Sequence, residues 1–466
     1  MSSDRVAPPS SRQKLTVILI AVVASTGGLL FGFDTGVISG AIPFLRQDFG
    51  LSPGQVENLT ALGLLGAVAG AMLGGRISDL LGRKKVILAS AFVFATGAAW
   101  CGRASGPGQL MAARVYLGVA IGVSSFAVPL YIAEIAPSRI RGTLVSLFQL
   151  LITVGILGSY LSDSALADNA NSQSWRPMFY VGVLPALVLL VGMLLVPETP
   201  RWLMTQGREE ESRRILGRIE DPARVEAEFD RMRKDIRLDA EQAGWREILT
   251  PWMRAPLIVA VGIMFFQQFV GINTVIYYSP EIFLRAGFQG NAAAIWASVS
   301  VGIVNVLFTV LSLSLIDRLG RRRLFFIGTT GIVVALLAMG AGFAFQAQLG
   351  SFAKWWLVGS MLVYCAFFAI SLGPLGWLYV SEVFPLRVRG LGASIGSLSN
   401  WAFNAMVAWT FFKLVGLVGT AEVFWLFAGF GGIALAWGYR YLPETKGVSL
   451  EQIEAHWRSG RPAREL

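Results

Sequence analysis

Twelve stretches of this chain are each long and apolar enough to cross a bilayer, and that constrains the fold more than any motif. Crossing the hydrocarbon core takes about 20 apolar residues as a helix. The stretches are Leu15–Ala41, Val56–Ile77, Val86–Cys101, Gln109–Ile132, Leu144–Leu161, Met178–Val196, Pro256–Leu284, Ala292–Ile316, Leu324–Phe345, Trp355–Val380, Leu391–Leu414 and Thr420–Tyr441. Their apolar runs are continuous, whereas barrel strands would alternate, so the expected spans are helices. Only 15% of the 466 residues are charged, against about 25% in ordinary soluble domains. The expected fold class is therefore an all-α membrane protein.

Between the sixth and seventh stretches the composition inverts. Residues 201–254 hold 12 Lys/Arg and 12 Asp/Glu of the chain's 39 and 29. Mixed charge at helical spacing predicts soluble helices at the membrane surface, joining two halves. The halves repeat. Asp79-Leu-Leu-Gly-Arg-Lys-Lys85 recurs as Asp317-Arg-Leu-Gly-Arg-Arg-Arg323. Glu134-Ile-Ala-Pro-Ser-Arg-Ile-Arg-Gly142 recurs as Glu382-Val-Phe-Pro-Leu-Arg-Val-Arg-Gly390, and Pro197-Glu-Thr-Pro200 as Pro443-Glu-Thr-Lys446. The offsets are 238, 248 and 246 residues. Three motifs in one order at nearly one offset indicate duplication, a 6+6 parallel repeat. The expected domains are residues 1–200, a linker over 201–254, and 255–466.

The basic residues fix an expected orientation. Loops after even spans, with both termini, hold 32 of the 39 Lys/Arg. By the positive-inside rule both termini are cytoplasmic. The other side holds six bases and six acids, the acids being Asp48, Glu57, Asp163, Asp168, Glu281 and Glu422 in loops and at helix ends. The net charge of +10 is then a one-sided topological signal, not a nucleic-acid surface. The first apolar run continues without a small-residue cleavage site, which argues for a retained span rather than a signal peptide.

The inventory for catalysis is short. Two isolated cysteines, Cys101 and Cys365, and one histidine, His456, rule out Cys clusters, three-His zinc sites and His-based triads. His456 reads as a solvated tail residue.

Asp34 and Arg114 are the ionisable residues most clearly inside apolar runs. Counting from the segment ends at ~1.5 Å per residue puts Asp34 roughly 10 Å and Arg114 roughly 7 Å from the outer side. Opposite charges at one level predict a pair. It reads either as a structural salt bridge or as a proton switch. Beside Arg114 the carboxylate stays ionised; moved away from it in an apolar site, it takes a proton.

A second constellation is polar and uncharged. It comprises Gln149, Gln267, Gln268, Asn273, Tyr277, Tyr278, Asn305, Trp377, Asn400 and Trp401. Amides offer donors and an acceptor to vicinal hydroxyls, and indoles offer an apolar face to sugar C–H groups. Each amide taken alone can equally bond helix to helix. Together, with no cationic cluster, they suit a neutral polyhydroxylated ligand. Gly66, Gly70 and Gly74 in one span, and Gly118 and Gly122 in another, predict close helix packing. Gly373-Pro374 predicts a break in the tenth span beside Trp377. The repeated loop motifs are topology signals or a latch on the cytoplasmic face. The residues concerned are Asp79, Arg83, Glu134, Arg139, Arg141 and Glu198, with Asp317, Arg321, Glu382, Arg387, Arg389 and Glu444.

Along nearly its whole length the chain resembles the sugar porter branch of the major facilitator superfamily. The resemblance rests on Phe31-Gly-Phe-Asp-Thr-Gly-Val-Ile-Ser-Gly40, Gly75-Arg-Ile-Ser-Asp-Leu-Leu-Gly-Arg-Lys-Lys85, Pro197-Glu-Thr-Pro-Arg-Trp202, the Gln267–Tyr278 segment and Pro443-Glu-Thr-Lys-Gly447. It implies the major facilitator fold and hexose or pentose transport by alternating access, glucose being the first guess. It implies sugar contacts at Gln149, Gln267, Gln268, Asn273, Asn305, Trp377 and Asn400, with Phe31 and Tyr277 near the site. Asp34 with Arg114 matches the proton symporters of that family, whereas facilitators often carry a neutral residue at the former position. Residues 201–254 match the family's intracellular helical bundle. The implied partners are a sugar, the bilayer and the coupling proton, with no cofactor and a functional monomer. The alternatives are a uniporter and a sugar sensor of the same fold.

Overall fold

In a computed structural model, residues 11–137, 140–221, 224–240, 245–385, 388–448 and 450–466 are described. Among them the secondary structure is entirely helical. Twelve helical spans are long and apolar enough to cross a membrane. The first five are α1 (Ser11–Phe49), α2 (Pro53–Leu81), α3 (Arg83–Arg103), α4 (Pro107–Ile135) and α5 (Arg141–Leu166). The sixth is α6 (Trp175–Val181) with α7 (Val183–Leu195), interrupted at Gly182 ahead of Pro185. All twelve predicted spans are present. Most extend one or two turns past the apolar runs. Ser52 and Gln55 form a capping box ahead of α2, with Pro53 in its first turn.

Short helices α8 (Pro200–Thr205), α9 (Glu209–Ile219), α10 (Val225–Ala240) and α11 (Trp245–Ile248) occupy the charged linker. Ile215, Leu216, Ile219 and Phe229 are buried there, and the Arg213 guanidinium lies 4.0 Å from the Phe229 ring centre. The remaining spans follow. The seventh is α12 (Arg254–Phe269) with α13 (Ile272–Arg285), then come α14 (Asn291–Leu319) and α15 (Arg321–Ala344). After the short α16 (Gln346–Leu349), the tenth span is α17 (Phe352–Ile370) with α18 (Leu372–Glu382). The last are α19 (Arg389–Val418) and α20 (Thr420–Tyr441), and α21 (Leu450–Ser459) forms a tail helix.

An even number of crossings returns the chain to its starting face. The start of α1, the tail helix α21, the linker and the Asp79–Arg83 and Asp317–Arg321 turns share that face, here the basic face; the opposite one is the far face. Leu73, Leu184, Leu195 and Leu417 are exposed on the outer circumference of their helices, a surface that only lipid would cover favourably.

The glycine rows pack as expected. A Cβ at Gly66, Gly70, Gly118 or Gly122 would overlap backbone carbonyls of the facing helix, so α2 and α4 touch along their backbones. His456 departs from expectation. It is 9% exposed, its Nε2 lies 3.1 Å from the Pro462 carbonyl, and Trp457 beside it donates to the Val383 carbonyl at 3.2 Å. The amphipathic tail helix folds back onto the protein, burying the apolar stripe that carries both rings.

Candidate functional site

The seventh and tenth spans are both broken, and the breaks face one another. Gly271 turns the seventh through a left-handed conformation (φ 87°). Ser371 interrupts the tenth with φ −127° and ψ −97°, three residues before Pro374, where the missing N–H cannot sustain the helix. Side chains bond the backbone beside both breaks. Gln267 Nε2 donates to the carbonyls of Leu372 at 2.7 Å and Gly373 at 3.1 Å, and Tyr364 donates to the Val270 carbonyl at 2.8 Å.

From Gln267 the amides run on as a chain. Gln268 Nε2 donates to Gln267 Oε1 at 3.1 Å, and Asn273 Nδ2 to Gln268 Oε1 at 2.6 Å. Asn400 of α19 donates to Gln267 Oε1 at 2.6 Å. Asn404, one turn on, donates to the Tyr277 hydroxyl at 3.1 Å. Sequence reasoning missed Asn404, although its i+4 spacing from Asn400 places both on one helix face. Tyr278, by contrast, donates to the Ala408 carbonyl and stacks on Phe411, a packing role.

Gln149, Asn305 and Trp377 are not joined to this chain by any hydrogen bond among the described residues; Asn305 is buried and the other two are half-buried. Phe31 packs on Trp401, ring centres 5.0 Å apart. Phe31, Trp401, Tyr277, Asp34 and Arg114 line one small cavity, so the predicted charge pair borders the predicted aromatic site.

Arg114 donates from Nη1 to Asp34 Oδ1, and both residues are buried. The predicted pair therefore forms, although the depth reasoning was inexact. Helix α1 runs on to Phe49, leaving Asp34 roughly 22 Å from its end at ~1.5 Å per residue. Arg114 Nε has no acceptor. The pair is thus held by few bonds, in contrast to the networks at the basic face.

Those networks are two copies of one design. Arg83 pairs with Glu134 and Asp79, each at 3.1 Å. Thr199 donates to Glu134 at 2.6 Å, Tyr131 to the Pro197 carbonyl at 2.8 Å, and Trp202 Nε1 to the Asp79 carbonyl at 2.8 Å. In the second copy Arg321 pairs with Glu382 at 3.0 Å and Asp317 at 3.8 Å. Thr445 donates to Glu382, and Tyr379 to the Pro443 carbonyl at 2.9 Å. Glu198 accepts from the backbone N–H groups of Lys84 (3.1 Å) and Thr199 (2.8 Å). Glu444 accepts likewise from Arg321 and Arg322 at 3.0 and 3.1 Å. The repeated glycine has a reason here. Gly82 (φ 97°) and Gly320 (φ 86°) sit where a Cβ would strike those two carboxylates. Burial pushes the Glu198 carboxyl above the usual carboxylate range, and its two backbone donors offset only part of that.

Among the described residues, Glu134 and Glu382 pair with Arg83 and Arg321 of the preceding turns. Arg141 instead donates from Nε to the Ala136 carbonyl at 3.3 Å; Arg139, Arg387 and the Arg389 side chain lie outside the described residues. Among the described residues these networks close within the first six spans and within the last six, and so staple each set.

Links between the two sets gather instead towards the far face. Glu57 accepts from the Lys413 backbone N–H at 2.9 Å and lies 3.9 Å from its Nζ. Arg46 pairs with Glu281 at 3.4 Å. The Ser39 and Ser279 hydroxyls are 3.3 Å apart, and Tyr160 donates to the Ile276 carbonyl at 2.8 Å. Glu57, Glu281 and Asp163, near helix ends as expected, are buried.

Comparisons with known proteins agree with this architecture. Residues 20–457 match the family model for "Sugar (and other) transporter". The chain is 36% identical over 457 residues to the galactose-proton symporter of Escherichia coli (strain K12), covering 97% of each. It is 38% identical over 451 residues to the glucose transporter GlcP of Staphylococcus epidermidis, covering 97% of this chain and 99% of that one. Among solved structures, the xylose transporter XylE from E. coli, in a partially occluded inward open conformation, superposes with a TM-score of 0.81 at 31% identity, covering 94% of this chain and all of the other. These relatives are multi-pass membrane transporters and not enzymes, in line with the sequence reading. The chain belongs to the sugar transporter family of the major facilitator superfamily.

Proposed function

We propose that the protein is a proton-coupled monosaccharide symporter, with a hexose, glucose first, as substrate. The observation that carries this reading is the shared cavity. Asp34 and Arg114 border the same space as Phe31, Tyr277 and Trp401, so a movement that admits sugar also alters the surroundings of the carboxylate. Paired with Arg114, Asp34 is an anion; separated from it in a dry site, it binds a proton. Gln149, Gln267, Gln268, Asn273, Asn305, Trp377 and Asn400 hold the sugar hydroxyls and ring. The Gln267–Asn400 bond exchanges for bonds to the ligand.

In this reading residues 1–200 and 255–466 move as two rigid bodies, braced by 201–254. Each body is stapled by its own Arg–Glu network, Asp79, Arg83, Glu134 and Glu198 in one and Asp317, Arg321, Glu382 and Glu444 in the other. The basic face is cytoplasmic, and the present conformation is the one sealed at the far face. No cofactor takes part beyond the proton, and the monomer is the working unit. The galactose and glucose names of the relatives support a hexose, and the xylose name keeps a pentose in view.

The test is sugar addition to proteoliposomes with the pH of the outer medium recorded. Symport predicts alkalinisation on addition of the transported hexose. Sugar uptake without proton movement leaves a uniporter, and sugar binding without flux leaves a sensor.

A further inference from the structure

Asp163 lies in the last turn of α5, fully buried, and among the described residues neither carboxyl oxygen has a hydrogen-bond partner. No basic side chain of the described residues comes within 4.0 Å of it. It packs against α1 at Gly40, where a Cβ would lie 2.7 Å from its Cγ. The titratable group nearest on its own helix is Tyr160, whose hydroxyl is committed to the Ile276 carbonyl. On α1, Asp34 is paired with Arg114, and Arg46 is paired with Glu281 of α13. Asp48 accepts from the Trp175 indole at 3.0 Å. None of these supplies a counter-charge. An isolated carboxylate in such a site carries a desolvation penalty with nothing to offset it, so the neutral acid is the stable form.

The position of Asp163 matters as much as its isolation. It backs the seam between the first six and the last six spans. Ser39, next to Gly40, meets Ser279 across that seam, and Tyr160, one turn before Asp163, reaches across it to Ile276. Parting the seam at the far face would open a path for water to this carboxyl, and hydration favours its ionised form.

We propose that Asp163 is a second proton-binding site, occupied while the far face is closed and emptied to the far-side water when that face opens. On closure the carboxylate takes a proton from that water; on opening it returns the proton to the same side. The site therefore adds nothing to net proton transport. It makes closure of the far face depend on the acidity outside it. This role rests on the transport reading above, but its test needs no sugar flux.

Infrared spectra of the purified protein with 13C-labelled aspartate should contain a carboxylic-acid C=O band at neutral pH, shifted by the isotope and lost in Asp163→Asn. Because wild-type protein supplies the band, poor folding of the variant does not remove the test. A Ser279→Cys reporter at the seam, with native Cys101 and Cys365 both buried, reads opening through its reaction with a membrane-impermeant thiol reagent. Its labelling should slow as the far side is acidified, and adding Asp163→Asn should make it slow and independent of pH. A wild-type spectrum without a protonated aspartate, or an unchanged labelling profile in the double variant, overturns the proposal. Absence of any sugar transport would overturn the function proposed above and leave both readouts interpretable.

Discussion

Asn400 donates from Nδ2 to Gln267 Oε1 at 2.6 Å, joining the eleventh span to the broken seventh. Each amide occupies a group that a sugar hydroxyl could use, so the site is pre-assembled without ligand. Asn400→Ala should raise KM for the favoured hexose by roughly 2- to 13-fold, the equivalent of a net hydrogen bond of about 0.5–1.5 kcal/mol. Gln267 should be the more sensitive, since it also caps the Leu372 and Gly373 carbonyls. Initial-rate uptake in vesicles measures both, and an unchanged KM would remove Asn400 from the site.

Asp34→Asn should separate structure from coupling. It leaves Arg114 charged and buried without an anion, which typically costs about 3–5 kcal/mol of stability. Thermal unfolding in detergent should therefore occur at a lower temperature. Accumulation against a gradient should vanish while sugar exchange survives. Adding Arg114→Gln removes the stranded charge and should restore part of the thermal stability, but not accumulation. Normal accumulation in Asp34→Asn would reject Asp34 as the coupling site.

Glu198 gives a pH dependence with a defined sign. Its folded-state carboxyl is raised above the ordinary value of 4.5, chiefly by burial. Its protonation therefore contributes stability that is fully present below that ordinary value and is lost as pH rises through the raised one. Compared with Glu198→Gln, which does not titrate, the wild type should gain thermal stability as pH falls from neutral towards 4.5. Parallel curves for the two proteins would show that folding leaves the titration of this carboxyl unchanged.

Close approach of α2 and α4 predicts a sharp contrast between two glycines. A Cβ at Gly118 would overlap the Gly63 carbonyl, whereas one at Gly142 meets nothing within 4 Å. Gly118→Ala should destabilise the protein by about 1–3 kcal/mol, the usual range for overpacking. Gly142→Ala should behave as wild type, or gain slightly through helix propensity. Unfolding in detergent discriminates them.

Much of this was legible in the sequence because hydropathy and repetition are properties of single segments. The twelve spans needed only a count of apolar residues, and the break at Gly373-Pro374 needed only proline's missing N–H. The Asp34–Arg114 pair was legible because charge inside an apolar run demands a partner. Partner choice was harder wherever it depends on three helices at once. Glu134 lies five residues before Arg139 in sequence, yet bonds Arg83 from another turn. The roles of Thr199 and Tyr131 arise only when the end of the sixth span folds under the fourth. Asp163, three residues from the end of α5, reads as a helix-end acid until the packing of Gly40 closes over it.

The duplicate networks leave the two faces of the protein held by different forces. Among the described residues, ion pairs at the basic face close within their own set of six spans, so spreading that face need not break them. At the far face the ties cross between sets, and they differ in shielding. Both acids are buried, but the Lys413 side chain is 54% exposed and that of Arg46 25%. Mobile ions therefore screen the first pair more than the second. Ionic strength at the far face thus becomes a selective handle: raising it should loosen the Lys413 side-chain contact more than the Arg46 pair.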